Sequence, residues 1–208
     1  MDHRSAILYE VYPQLDALGV DGVARLLGSF AGIADEARQV TNAAFRAYGQ
    51  ISGEGDMGDF AENALDEGLQ YYQTLAELQQ GVTNLLAVGL YHLFEQHSKH
   101  IRELLIASGK VYPDVRRFST WPKVDELRLL CNAVKHADGT SAEVLRGIRP
   151  DYFVSPIMRR YTLHRLSEAH FHPLATPMGG TDLFVSREDL TTYRDVLRDF
   201  WEEFLEHS

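Results

Sequence analysis

Between Phe60 and Ala107 the chain contains no proline, and apolar residues return every three or four positions. Leu65, Leu69, Tyr72, Leu75, Leu78, Val82, Leu85 and Leu86 carry that spacing, the stripe of an amphipathic α-helix. At 1.5 Å per residue an unbroken helix here would run roughly 70 Å. Gln79-Gln80-Gly81 is the predicted break, which gives two helices. Ser108-Gly109 ends the pattern, with Gly109 placed as a C-terminal cap.

The flanking sequence is read the same way. Residues 4–50 carry apolar residues at helical spacing, broken by Pro13, Gly19 and Gly22. Asp21 is the predicted cap of a helix through Val23, Leu26, Leu27 and Phe30. Gly53, Gly55 and Gly58 mark a loop. Pro122 fits the first turn of a helix through Val124, Leu127, Leu130, Cys131 and Val134, which stops near His136. A short helix is expected over Ser141–Arg146. Prolines 150, 156, 173 and 177 make the following stretch irregular, with a small β-hairpin expected around Leu174 and Asp182–Val185. Ser186 and Asp189 form a predicted capping box for a last helix that carries Leu190, Tyr193, Val196, Leu197, Phe200, Trp201 and Phe204 on one face. The expected fold is all-α: a helical bundle with long antiparallel helices and that hairpin near the C-terminus. It divides into an N-terminal helical region, 1–58, and a helical core, 59–208, with an irregular insertion at 147–185.

Several function classes drop out. The single cysteine, Cys131, leaves no intramolecular disulfide and no cysteine-based zinc site. The most apolar run, Leu85–Phe94, is far short of the roughly 20 residues of a membrane span, and the N-terminus lacks a signal-peptide pattern. A cytoplasmic protein with no membrane partner is expected. The 53–58 glycines lack the Lys-Ser/Thr ending of a phosphate-binding loop. A net charge of −10 argues against polyanion binding only until it is counted by segment. Residues 1–80 carry net −9 and residues 166–208 net −6, whereas 99–165 carry net +6. A basic middle is either an anion site or the partner of the acidic ends.

Inside that basic middle lies Asp125-Glu-Leu-Arg-Leu-Leu-Cys-Asn-Ala-Val-Lys-His-Ala-Asp-Gly139. A helix that ends in Asn-x-x-x-His resembles the signature helix of HEPN domains, all-α domains of prokaryotic toxins, phage-defence proteins and RNA-processing enzymes. The family has four to six residues between an Arg and the His; here the three positions that fit hold Cys131, Leu130 and Leu129, and the nearest Arg, Arg128, leaves seven residues between and falls outside that spacing. The resemblance implies a metal-independent endoribonuclease or an RNA-binding derivative of one, with no cofactor, at a site shared by two subunits of a homodimer. His136 would assist proton transfer as a 2′-hydroxyl attacks the adjacent phosphate, and a cation would stabilise the charge that develops. The site residues so implied are His136, Asn132 and Lys135, with Arg128 in place of the family Arg. Positions 128, 132 and 136 are four apart and share a helix face. An antitoxin or another protein partner belongs to the same expectation. The competing class is a non-catalytic helical interaction protein that dimerises and binds a protein, with Asn132 and His136 finishing the helix end.

Two histidine groups are candidates for metal. His92, His97 and His100 lie with Glu95 and Glu103 on one helical stretch, and His164, His170 and His172 gather near the proline-rich segment. Neither has a matched second set of ligands, so ordinary polar-face histidines and no metal are expected. Cys131 sits among Leu127, Leu130 and Val134 and reads as a core thiol. The aromatic stripe of the last helix reads as core or subunit interface, and long helices of this kind often pair with a copy of themselves.

Overall fold

The computed structural model describes residues 2–51, 57–136, 139–155 and 183–208. Among them the chain is helical and contains no strand. Residues 3–28 form α1. It is followed by α2 (Ile33–Ile51), α3 (Met57–Ala107), α4 (Trp121–His136), α5 (Thr140–Ile148) and α6 (Arg187–His207), with single 3₁₀ turns at Val115–Arg117 and Pro150–Phe153. The expected all-α bundle is therefore what forms. The hairpin lies mostly outside the described residues; its described end, 183–185, is extended coil held by Phe184 N–H to the Tyr152 carbonyl at 2.8 Å.

The predicted break at Gln79-Gln80-Gly81 does not occur: α3 is one helix of 51 residues, about 77 Å long. A glycine in a helix costs about 1 kcal/mol, and here neighbouring contacts offset it. The Gln80 side-chain amide donates both to Asn84 Oδ1 (3.1 Å) and to the Val185 carbonyl (2.9 Å), and Asn84 donates to the Leu183 carbonyl. The junction is thus pinned to the segment leading into α6.

Nor do Pro13, Gly19 and Gly22 break the N-terminal region. Two π-helical segments, Ile7–Val11 and Ala17–Gly22, absorb the strain inside one continuous helix. The wider turn ahead of Pro13 relaxes the ring-to-carbonyl clash that a proline imposes on a regular helix. Asp21 falls inside the second π segment instead of capping a helix. Gly19 is needed for a close approach: a Cβ there would overlap the Arg194 side chain of α6. Arg194 and Arg198 both reach Asp16, at 3.3 and 3.0 Å, and tie the two helices together. The stretch His3–Gly49 includes an 18-residue window of mean hydropathy 1.3, enough by length and composition for a membrane span. Yet the turn at residues 29–32, with Gly32 at φ 95°, divides it. Ile7, Val11, Leu15, Val23 and Leu27 of the wider stretch are buried in the core, although only 17% of the window itself is buried.

The C-terminal half of α3 is the spine of that core. Its Leu86, Leu90, Phe94, Ile101 and Leu105 are buried among residues of α1, α4 and α6. The aromatic stripe of α6 is core: Phe94–Phe200 rings meet edge-on at 5.0 Å, and Phe200–Trp201 and Trp201–Phe204 follow at 5.2 and 5.3 Å. The N-terminal half of α3 behaves differently. Its main helical partner is α2, approached through small residues: Ala37 and Ala44 against Ala64 and Gly68, where a Cβ would overlap Thr41. That close approach leaves Leu65, Leu69, Tyr72 and Leu78 exposed. Much of the apolar stripe expected to be buried therefore faces outward. Gly109 caps α3 with φ 71°, and Lys110 N–H bonds the Leu105 carbonyl. The capping box of α6 forms as expected.

Helix α4 is fixed by a buried carboxylate that periodicity does not reveal. Glu126 is 7% exposed. It accepts from Tyr193 Oη (2.8 Å), Arg149 Nη1 (3.1 Å) and Lys123 Nζ (2.7 Å). Arg149 also donates to Tyr152 Oη, to both Asp151 oxygens and to Asp189, and Tyr152 and Tyr193 share a hydroxyl contact at 2.9 Å. Burial acts against the Arg149 charge, but the Asp151 and Asp189 carboxylates outweigh it and push its pKa up. Burial, with Tyr152 and Glu126 adding to it, drives the Tyr193 phenol upward and keeps it a donor. Removing one partner of a buried charge network typically costs about 3 kcal/mol or more. Glu126→Ala is therefore expected to lower the unfolding free energy in urea by about 3 kcal/mol, whereas His136→Ala, at an exposed position, stays within about 0.5 kcal/mol of wild type.

Candidate functional site

The end of α4 and the start of α5 form a corner. Asn132 and His136 come from the last turns of α4, and Gly139, Thr140, Ser141 and Ala142 from the start of α5; all six line one concavity of about 350 Å³. The Asn132 amide reaches Ser141 Oγ at 3.5 Å, and His136 is exposed. Gly139, in extended conformation, caps α5 with no side-chain hydrogen bond. The first N–H groups of a helix have no intrahelical acceptor, and together with the helix dipole they favour an anion. Two hydroxyls, an amide and an imidazole complete a lining made of hydrogen-bonding groups.

The other two sequence-derived candidates lie elsewhere. Arg128 is two helical turns from His136, about 12 Å along the axis, and bonds Asp125 Oδ1 at 2.7 Å. That carboxylate raises the Arg128 pKa further and holds the guanidinium away from the corner. Lys135 is exposed. Its ammonium lies against the Cys131 thiol and pulls the thiol pKa down, although burial, the larger effect, pushes it up. Cys131 is completely buried, so the position of the family Arg is a core position. The concavity thus joins Asn132 and His136 but includes neither Arg128 nor Lys135.

Helical periodicity and the Asn-x-x-x-His motif do not point to the first turn of α5 as part of this corner. Gly139-Thr140-Ser141 is the signal that could have shown it: a glycine without a capping side chain, followed by two hydroxyls.

The histidines on α3 spread apart. His92 pairs with Gln96; His100 approaches Glu10 at 3.7 Å. His97 is not on a polar face: it is 7% exposed and bonds Gln14 Oε1 at 3.1 Å. Among the described residues no three His, Cys, Asp or Glu side chains gather as a metal site. His164, His170 and His172 lie outside the described residues. Comparison of the chain with protein-family models, curated proteins and solved structures gives no match.

Burial pushes the His97 pKa below its ordinary value of 6.5; Glu10 opposes this and His100 reinforces it. Below pH 6.5 the unfolded chain therefore takes up a proton that the folded ring resists, and stability falls as the pH drops. The urea midpoint is expected to decrease from pH 7 to pH 5.5, and His97→Gln to flatten that decrease.

Proposed function

We propose that this chain is a HEPN-like RNA-binding protein, of the toxin or phage-defence kind that its Asn-x-x-x-His helix resembles. It grips an RNA phosphate at the corner between α4 and α5 and does not cleave the strand. The observation that carries the reading is the shared concavity of Asn132, His136 and the uncapped start of α5. An anion there meets helix N–H groups, the Thr140 and Ser141 hydroxyls and the His136 ring. Binding without cleavage is favoured because, among the described residues, no guanidinium lines the corner: Cys131 is buried where the resembled family has Arg, and Arg128 is ion-paired two turns away. Without a cation at the developing charge, a positioned His alone gives little acceleration.

Gly139→Asp separates binding from folding. A carboxylate at this position caps α5, adding about 0.3 kcal/mol of stability over glycine, and repels a phosphate from the same N–H groups. Fluorescence anisotropy with a labelled single-stranded RNA in EDTA is expected to show binding by wild type, with affinity reduced about tenfold by His136→Ala and more by Gly139→Asp. Melting temperature is expected to rise for Gly139→Asp. Cleavage of the RNA by wild type and not by His136→Ala would show an enzyme instead. No binding at all would return the protein to the helical interaction class.

A further inference from the structure

A second concavity, of about 340 Å³, opens at the other end of α4, between that helix, α3 and the connector before the 3₁₀ turn. Its chemistry is mixed in an informative way. Trp121 and Tyr112 contribute aromatic surface, Lys99 and Arg102 contribute two cations from α3, and Glu95 contributes one carboxylate to the same lining. Trp201, the other tryptophan, is fully buried and packs against three phenylalanines. Trp121 is only half-buried, and among the described residues its indole makes no ring or cation contact. Lys99 is exposed and, among the described residues, has no ion-pair partner. Arg102 lies over the Tyr112 ring at 4.7 Å, held beside the groove and free of any carboxylate among the described residues. An indole face without a ring partner beside two cations suits a planar group that carries a negative charge, such as a base followed by its phosphate.

The groove is aligned with the phosphate corner. Trp121, Asp125, Arg128, Asn132 and His136 succeed one another at spacings of four, three, four and four residues, which puts them on one stripe of α4. All five are half-buried or exposed. Trp121 and His136 stand about 22 Å apart along the helix, and Arg128 lies between them. The flat, partly exposed indole favours a single strand, since in a duplex the base faces are already stacked.

We propose that the groove around Trp121, Tyr112, Lys99 and Arg102 is a base-stacking subsite for single-stranded RNA, continuous along α4 with the phosphate corner at His136. It rests on the RNA reading above and narrows it. The substrate class is an unpaired strand of roughly four nucleotides or more, with one base on Trp121 and a phosphate at the start of α5.

Trp201 is sealed in the core, so quenching of intrinsic fluorescence reports Trp121. A ten-nucleotide single strand is expected to quench wild-type emission as it binds, while the same sequence as a duplex is not. Trp121→Leu is expected to remove the quenching and weaken the strand's affinity roughly tenfold, with Trp121→Phe recovering much of the affinity. Lys99→Glu, at an exposed site that does not threaten the fold, is expected to weaken binding and lower the salt slope by about one. Strand binding, read by anisotropy, that His136→Ala weakens but Trp121→Leu and Lys99→Glu leave unchanged overturns the subsite and leaves the RNA reading standing. Equal affinity for strand and duplex also overturns it. Absence of RNA binding overturns both.

Discussion

The architecture turns on one buried carboxylate. Glu126 lies inside the bundle, where an unpaired charge would cost several kcal/mol. Its partners come from three separate places: Lys123 on its own helix, Arg149 beyond α5, and Tyr193 on α6. To satisfy Glu126 the chain has to bring the ends of α5 and α6 against the side of α4. Arg149 extends the tie to Asp189, which also accepts from the Ser186 hydroxyl as part of the capping box that starts α6. With Leu127, Leu130 and Cys131 buried beside it, the network fixes the rotation of α4. The opposite stripe, from Trp121 to His136, is what remains for solvent and ligands.

That arrangement also explains the composition. Part of the basic charge of residues 99–165 is used inside: Lys123 and Arg149 pair with Glu126 and Asp151 of the same segment, and Arg149 also reaches Asp189 of the acidic C-terminal segment. What stays outside, among the described residues, is Lys99, Arg102, Lys110, Arg116 and Lys135, with Arg117 paired to Asp114 and Arg128 to Asp125. The acidic N-terminal region keeps its charge at a distance, on the paired α2 and the first half of α3. There Arg38 pairs with Asp35, and Tyr71 donates to Glu36. Buried ion pairs and exposed cations are thus both present, the first on the inner side of α4 and the second on α3, the connector and the end of α4.

Much of this fold was legible in the sequence, because apolar period and caps are local signals. The ends of α3 and α4, the Gly109 cap, the Ser186–Asp189 box and the aromatic face of α6 all follow from residues within one or two turns of each other. The failures have a common cause: each depended on a distant partner. Gly81 does not break α3 because Gln80 is anchored to Val185, over a hundred residues away in sequence. Pro13 does not break α1 because π turns accommodate it while Asp16 is held by Arg194 and Arg198. Leu65 and Leu69 carry a flawless helical period yet stay exposed, since Gly68 and Ala64 are the residues that let α2 approach. At the corner, Asn132 and His136 were legible from their motif. The contribution of α5 was not, because an uncapped helix start becomes a feature only when another helix end faces it.

The RNA reading proposed above assigns binding to the outer stripe of α4 and the first turn of α5. Photocrosslinking of a 4-thiouridine-containing single-stranded RNA to the whole protein, followed by peptide mapping, tests it most directly. The account predicts crosslinks in the peptides that contain Trp121 and residues 132–142. Crosslinks confined to α2 and the first half of α3, or distributed without preference over the surface, would contradict it.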